Sequence, residues 1–214
     1  GEFAGKTILT VAATHRDFKD ILELALNAGA DPNMADGNKK TPLKVTVSTH
    51  CRGAFKYLIK KGAIAKDKGL IQEICGAWHD TLHQNNAKKR VSILEMLLEN
   101  KATANELDEH GNTCLYHLLW GWTPTREKLT EQQQTIFYSQ RKNMITLLLK
   151  AGLDVAHKNN AHQTAIENIK AHPHLEDKEL LAFLETESKK NYSRLISCYP
   201  IFSINRIYFL ADNR

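Results

Sequence analysis

A short pattern recurs along the chain, and this repetition constrains the fold more than any other feature of the sequence. In each copy a threonine is followed two positions later by an aliphatic residue, and the four copies begin at Thr7, Thr41, Thr113 and Thr164. A chain that repeats itself in this way is typical of stacked structural units, each of which contacts only its neighbours. The sequence therefore predicts a row of similar units.

A second signature precedes these threonines at a fixed distance. The segment from Asn27 to Asn33 reads N-A-G-A-D-P-N, and related segments end helices elsewhere in the chain. Each has a landmark residue that is followed 11 positions later by the next threonine or its equivalent, with Ile74 as the one non-threonine; the landmarks are Ala30, Ala63, Ala102 and Leu153. A constant connector between variable stretches indicates a structural repeat.

One unit is predicted to be a helix, a short turn, a second helix and an extended connector. Thr41 before Pro42 is a helix start, because the threonine hydroxyl can accept free backbone N–H groups and proline fits the first helical position. The apolar runs 21–25 and 93–98 form faces wide enough to be buried on both neighbours. Glycine favours the left-handed conformation that ends a helix, and Gly29, Gly62 and Gly152 are placed to do so.

These motifs make the sequence resemble the ankyrin-repeat family. Thr41-Pro42-Leu43 matches the family's T-P-L-H, and the segment from Gly29 to Asn33 matches G-A-D-x-N. The resemblance covers about residues 5–185 and implies an all-α solenoid of about five helix-turn-helix units with β-turn-like connectors: 4–36, 37–67, 68–107, 108–158 and 159–187. The fourth motif position is never histidine (Thr10, Lys44, Tyr116 and Glu167), so the local hydrogen bonds are expected to differ from the family pattern.

The third and fourth units are enlarged. In the third, the connector is shortened and we predict a lengthened first helix, from a cap at Asp67 to about His83, with a buried stripe of Ile71, Ile74, Cys75, Trp78 and Leu82 at helical spacing. In the fourth, an insertion lies between Trp120 and Lys142. Thr123-Pro124 is a possible helix start there, and the segment from Thr130 to Gln133 is a possible capping box. One apolar face continues through Leu129, Gln133, Ile136, Phe137, Gln140, Met144, Leu147 and Leu148, so we predict a second helix lengthened at its N-terminal side.

The two ends of the chain do not follow the repeat pattern. Residues 1–3 resemble a cloning scar, and residues 188–214 are basic and aromatic. That last segment either packs back as a cap or serves as a linker. It holds +4 of the formal net charge of +5, so residues 1–187 are nearly neutral. A phosphate-attracting field is not expected from such a balance, which argues against a nucleic-acid partner.

Sequence motifs for chemistry are weak. Cys75, His79 and His83 have i, i+4, i+8 spacing and would place zinc-type ligands on one helical face, but no fourth ligand has a suggestive spacing. His50 and Cys51 are adjacent and would point apart on a helix, so Cys51 and Cys114 are predicted to fill the core. We found no phosphate loop or hydrolase motif. No cofactor, catalysis, small-molecule substrate or membrane span is expected, and four dispersed cysteines favour a reducing cytoplasm.

With catalysis and cofactor binding not expected, the remaining function is recognition of a partner protein by the surface of the repeats. In the ankyrin-repeat family, the connector tips and the exposed side of the first helices form a concave binding face. The resemblance transfers this role to Asn38, Lys39, Lys40, His15, Thr49, His110, Asn112, Asn160, His162, Trp120 and Trp122. The two tryptophans are either binding hot spots or local core beneath the insertion.

The primary hypothesis is a monomeric, non-catalytic interaction module that binds through the concave face and the fourth-repeat insertion. The composition and irregular repeats also resemble ankyrin effectors of intracellular bacteria, which would act on host proteins in the host cytoplasm or nucleus. The alternative is the substrate-targeting part of a larger enzyme.

Overall fold

The computed structural model describes residues 5–14, 19–66, 69–76, 84–120, 130–172 and 178–187. The chain divides into two compact units, residues 1–176 and 177–214. Within the described ranges the first unit contains nine α-helices and no strand, apart from one isolated bridge between Lys158 and Thr164. The helices are α1 (Ile8–Ala12), α2 (Lys19–Asn27), α3 (Pro42–Ser48), α4 (Arg52–Lys60), α5 (Leu70–Gly76), α6 (Gln84–Glu99), α7 (Cys114–Trp120), α8 (Glu131–Lys150) and α9 (Ala165–Lys170).

The helices of the first unit form two rows. The odd-numbered helices contact one another in chain order from α1 to α9, and the even-numbered helices do so from α2 to α8. Within repeats, α1 packs on α2, α3 on α4 and α5 on α6. Each repeat therefore contacts the next, which confirms the predicted all-α solenoid.

Threonine side chains cap the helices at the predicted positions. Thr41 accepts a hydrogen bond from the Lys44 N–H at 3.3 Å, and Pro42 occupies the first helical turn. Thr164 forms a capping box in which the Glu167 carboxylate accepts the Thr164 N–H at 2.8 Å. At the fourth motif position, where the family has histidine, glutamate thus completes a cap. The predicted difference from the family's hydrogen bonds stays a prediction.

Second helices end in left-handed backbone, as predicted. Gly29, Gly62 and Gly152 have φ values of 91°, 91° and 84°, and Lys101 takes the same place after α6 with φ 65°. The next amide then bonds back into the last turn, as in the 3.0 Å bond from the Ala30 N–H to the Ala25 carbonyl. These bonds satisfy carbonyls that the helix leaves open.

The third connector is shorter than the constant spacing of 11 positions would require. Ile74 is not the equivalent of the capping threonines: it lies inside α5, fully buried. The residue directly before α5 is Gly69, which follows Ala63 by six positions instead of 11. The assignment of Ile74 failed because an apolar residue at the right distance was taken for a helix start.

The first helix of the third repeat, α5, differs from its predicted bounds. It begins at Leu70, three residues beyond the predicted cap at Asp67, and its described part ends at Gly76. Ile71, Ile74 and Cys75 are buried, as the predicted stripe requires. Residues 77–83, including Trp78 and Leu82, lie outside the described residues. The described extra length of this repeat belongs to its second helix, α6, which has 16 residues.

The fourth repeat has the lengthened second helix that the sequence predicts. Helix α8 has 20 residues, and Thr130 starts it with a capping box to Gln133. The predicted face is confirmed in part, since Phe137, Met144 and Leu148 are buried. The face also contains a buried arginine that hydrophobic periodicity did not indicate, Arg141. Leu129 and Thr123-Pro124 lie outside the described residues.

The apolar runs of the second helices are buried to different extents. In α6, Ile93, Leu94 and Leu97 are buried, as expected for a helix with a neighbour on each side. In α2, Leu22 is buried but Leu24 is 69% exposed. The prediction of burial on both sides is therefore wrong for the first repeat, because α2 lies at the end of its row.

The described part of the second unit is a helical segment, residues 178–187, in which Leu180, Leu181 and Leu184 are buried. Sequence analysis assigns these residues to a fifth repeat. Residues 188–214 lie outside the described residues, so the choice between a cap and a linker stays a prediction. No helix in the described ranges has the length and apolar character needed to cross a membrane.

Candidate partner-binding surface

Three connector tips share one turn design. A side-chain oxygen of Asp36, Asp108 or Asn159 accepts the backbone N–H groups two and four residues later, at 2.8 to 3.1 Å. The residue three positions later has positive φ in each tip: Lys39 (59°), Gly111 (73°) and His162 (59°). Because each tip is closed by its own hydrogen bonds, the side chains between these residues are held in a defined geometry.

Most of the predicted tip residues lie on the surface. The exposed ones are Asn38, Lys39, Lys40, His110, Asn160 and His162. Asn112 is different, being only 6% exposed. Its amide donates to Asp108 at 3.2 Å and its oxygen accepts from Asn159 at 2.9 Å. Asn112 therefore joins two tips and does not belong to the exposed surface.

Of the predicted residues at the ends of first helices, Thr49 is exposed, but its hydroxyl is engaged. The Thr49 hydroxyl donates to the Val45 and Ala13 carbonyls at 2.9 and 3.2 Å. It thus links the first two repeats. His15 and Trp122 lie outside the described residues.

Trp120 ends α7 in a half-buried aromatic cluster with Tyr116 and His172. Its ring stacks on Tyr116 at 5.6 Å between centroids, and it meets His172 edge-on at 4.9 Å. The Trp120 indole N–H donates to Asn168 of α9 at 2.9 Å. Burial, and then the nearby Asp108 carboxylate, raise the pKa of Tyr116. The described contacts of Trp120 thus fix its ring against the next repeat while part of it stays accessible.

The short third connector coincides with a depression beside the first helices. In the row of first helices, α5 lies between α3 and α7, and the connector before it is short, since Gly69 follows Ala63 by six positions. A cavity of about 550 Å³ occurs there, which we call the notch. Besides Gly69 and Gly76, its lining residues are Lys44, Gln72, Glu73, Asp108, Glu109 and His117. A shorter connector leaves fewer residues to cover these side chains.

Hydrogen bonds hold the walls of the notch. Glu73 accepts from the Ser48 hydroxyl at 2.7 Å, and Glu106 accepts the Gly69 N–H at 3.1 Å. His117 and Asp108 meet at 3.0 Å between Nε2 and Oδ2. Burial of Asp108 raises the pKa of its carboxyl, but the bonds from Asn112 and His110 and the nearby His117 outweigh this, so the pKa lies below its ordinary value. Asp108 is therefore a carboxylate at neutral pH.

No sequence signal singled out the surface residues Gln72, Glu73, Tyr116 and His117 as binding candidates. The signal that could have found them was the shortened connector, since a missing tip uncovers the first helix beneath it. The sequence did indicate a shortened third connector, but the assignment of Ile74 as a threonine equivalent implied a full-length one, so no exposed first helix was inferred from it.

The predicted metal candidate is not assembled within the described residues. Cys75 is buried in α5, whereas His79 and His83 lie outside the described ranges. Burial, and then the adjacent Cys114 thiol, raise the pKa of Cys75, which opposes the thiolate that zinc prefers. Among the described residues, no group of three or more histidine, cysteine or acidic side chains could hold a metal ion. Cys51 and Cys114 are buried, which confirms that they fill the core.

Known proteins with similar sequences agree with this architecture. A sequence model described as the ankyrin repeat matches residues 4–37. Human neurogenic locus notch homolog protein 1 is 30% identical over 115 residues, 52% of this chain and 4% of that protein. A fowlpox virus protein named as an ankyrin repeat protein is 31% identical over 100 residues, 46% of this chain and 12% of the viral protein. These matches show that the chain is similar to ankyrin-repeat proteins over about half of its length.

Ankyrin repeats are in general modules for protein–protein interaction. In this chain the tips and the first helices of the ankyrin repeats carry the notch and the aromatic cluster. We call this surface the tip face. The two features adjoin, because Tyr116 of the cluster contacts His117 of the notch edge-on, at 5.9 Å between ring centroids.

Proposed function

We propose that the chain is a non-catalytic interaction module that binds a partner protein through the tip face, which is concave in the ankyrin-repeat family. The observation that carries the proposal is the notch with the aromatic cluster beside it. A cavity lined by fixed polar groups, with half-buried aromatic rings on the same first helix, is the type of surface on which binding energy concentrates.

Rigidity supports this proposal. The tips are closed by their own hydrogen bonds, and Trp120 is fixed by Asn168 and Tyr116. Side chains that are ordered before binding lose little entropy when a partner arrives, so more of the contact energy appears as affinity. The N-terminal part of α8, together with the rest of the fourth-repeat insertion, would extend the same surface.

We infer no catalytic role. The Asp108–His117 pair is a carboxylate bonded to an imidazole, and such a pair activates a nucleophile only if one lies within hydrogen-bond reach. In the described part of the chain, the cysteines nearest in sequence, Cys75 and Cys114, are fully buried. The raised pKa of Cys75 further disfavours its thiolate.

Affinity capture tests the proposal. The intact chain is immobilised beside a Lys40→Ala, Trp120→Ala variant, and proteins retained from cytosol are compared. The matched control is Leu24→Ala, Lys56→Ala, which removes an exposed apolar and an exposed basic side chain from second helices. We expect a partner that is retained by the parent and control chains and lost from the tip-face variant.

Two further variants keep the experiment decisive. Because Trp120 also packs on α9, a Lys40→Ala, His110→Ala variant changes only exposed tip residues, and thermal unfolding monitors the fold of each chain. Shortening residues 120–142 tests the insertion. If all these variants retain every partner of the parent chain, the tip face is not the binding surface.

A further inference from the structure

We propose that the notch receives an arginine side chain from a basic segment of the partner protein. This inference rests on the proposed function, which supplies the partner, and it adds the chemistry of the contact.

The notch has a suitable size for a long side chain. Its volume of about 550 Å³ lies within the roughly 300–1,000 Å³ of ordinary ligand pockets. Gly69 and Gly76 line it without side chains of their own, and they flank the described part of α5. An incoming side chain can therefore lie along α5 where other repeats have a tip loop.

The charge of the lining favours a cation. Among the described residues that border the notch, Glu73, Asp108 and Glu109 are acidic, and Lys44 is the one lysine or arginine. Asp108 is held as a carboxylate by its hydrogen bonds. This local acidity contrasts with the near-neutral body of residues 1–187. A phosphate group would be repelled here, which argues against nucleic acid and lipid headgroups at this site.

An unsatisfied acceptor points to a donor with several N–H groups. Gln72 donates its amide N–H to the Glu106 carbonyl at 2.8 Å, but its buried Oε1 accepts no hydrogen bond from any described residue. Leaving a buried acceptor unpaired is costly. A guanidinium carries five N–H donors in a planar fork, so it can donate to an amide oxygen and a carboxylate together, whereas an ammonium acts as a point charge.

The adjoining rings favour the same chemistry. Tyr116 and Trp120 stack beside the notch, and aromatic faces attract cations, arginine more often than lysine. A second basic residue next to the bound arginine would therefore meet an aromatic surface.

The test uses defined peptides and the full chain. The probe is an acetylated, amidated Gly-Ser-Arg-Ser-Gly peptide, and the control peptide carries citrulline, which keeps the shape of arginine but has no charge. Binding is followed by backbone amide chemical shifts. We expect the arginine peptide to shift the signals of Gly69, Gly76 and His117, and the citrulline peptide to bind about tenfold more weakly or worse, because a charge-assisted bond is lost.

Two variants locate the site. Glu73→Gln with Glu109→Gln removes charge without touching Asp108, which builds the tip, and we expect about tenfold weaker binding of the arginine peptide. Gly76→Met places a long side chain at the notch without changing charge; among the described residues a Cβ there meets His117 at an ordinary 3.9 Å, and we expect binding to be lost. Glu99→Gln, an exposed residue of α6, is the matched control and should bind as the parent does.

The outcomes separate this inference from the proposed function. Equal binding of the two peptides overturns the arginine site. So does unchanged binding of the arginine peptide by the Glu73→Gln, Glu109→Gln variant and by Gly76→Met. If the capture experiment still loses its partner with the tip-face variants, the proposed function stands while this inference fails. Conversely, arginine-selective shifts in the notch support the inference even where the capture experiment yields no tip-face partner.

Discussion

At the scale of single residues, the tips show which part of an aspartate is needed. Asp108 and Asn159 occupy the same place in successive tips, and each accepts two backbone N–H groups through one oxygen. The turn therefore needs the oxygen and not the charge. The charge of Asp108 acts elsewhere, on His117 and in the notch.

Because the turn needs only the oxygen of Asp108 while its charge acts elsewhere, we predict that Asp108→Asn changes the stability of the fold in a pH-dependent way. The folded-state pKa of Asp108 is lowered, so its carboxylate stabilises the fold above the unfolded-state pKa, and this contribution is lost as the pH falls through the folded value. We expect Asp108→Asn to fold with an intact tip and to be less stable than the parent at pH 6. The difference in unfolding free energy should shrink below about pH 4, near the ordinary aspartate pKa.

Urea denaturation at a series of pH values measures this difference. Asp36→Asn, the same change in a tip for which no described histidine partner is observed, is the control. A constant difference between parent and Asp108→Asn from pH 3 to 6 would contradict the assignment.

Contact between neighbouring tips gives a second prediction at this scale. Gly111 has φ 73°, and a Cβ placed on it would clash with the Asn160 side-chain oxygen. Gly29 has φ 91° with no atom within 4 Å of such a Cβ. Left-handed backbone costs a residue with a side chain about 1–2 kcal/mol. We expect Gly29→Ala to lower the unfolding free energy by about that amount and Gly111→Ala by about 1 kcal/mol more, because overpacking adds to backbone strain.

Chemical denaturation of both alanine variants provides the comparison. Equal losses at the two glycines would mean that the tips do not pack as closely as described.

At the scale of helices, two buried arginines tie the enlarged repeats together. Arg90 of α6 donates to the Ile74 carbonyl at 3.0 Å, and Arg141 of α8 donates to the Leu118 carbonyl at 2.6 and 3.1 Å. The two lie 51 residues apart, which is also the spacing of Thr113 and Thr164. Each guanidinium thus ties the second helix of its repeat to a backbone carbonyl of the first helix.

The enlarged repeats show which features can be predicted from the sequence, such as the length of a helix, and which cannot, such as the burial of an arginine. The length of α8 followed from the capping box at Thr130, a local signal that any context preserves. The burial of Arg141 did not follow, because arginine is mostly exposed and only its partners, 22 and 23 residues away, explain its place. For the same reason Ile74 was misassigned: its distance from Ala63 fitted a connector, and only the packing of α5 reveals it as core.

Removing the guanidinium of Arg141 is expected to destabilise the fourth repeat. Arg141→Met keeps an unbranched, largely apolar side chain but leaves the Leu118 and Leu119 carbonyls without this donor. An unsatisfied buried acceptor costs about 1–3 kcal/mol, so we expect a loss of unfolding free energy in that range. Arg52→Met on the exposed side of α4 is the control, and we expect it to stay within about 0.5 kcal/mol of the parent. Guanidinium denaturation measures both, and matching midpoints would refute the role of Arg141.

At the scale of the first unit, side-chain amides bridge consecutive repeats. Asn33 donates to the Gly62 carbonyl at 3.2 Å and accepts the Ile64 N–H at 2.8 Å. Asn105 makes the same pair of bonds to Gly152 and Asp154, at 2.8 and 2.7 Å. Both belong to the segments that the sequence marks as repeat signatures. The sequence thus located these asparagines, but their role depends on the next repeat and was not predicted.

Because repeats are stabilised by their neighbours, weakening an interface should reduce cooperativity as well as stability. Asn105→Ala removes both bonds between the third and fourth repeats, and at about 0.5–1.5 kcal/mol for each bond we expect a loss of about 1–3 kcal/mol. If the interface couples the repeats, the unfolding transition of Asn105→Ala also broadens in urea, and tryptophan fluorescence and circular dichroism no longer report one midpoint. Asn143→Ala, an exposed asparagine of α8, is the control and should leave the transition unchanged. A sharp transition with an unchanged midpoint in Asn105→Ala would mean that apolar packing alone couples these repeats.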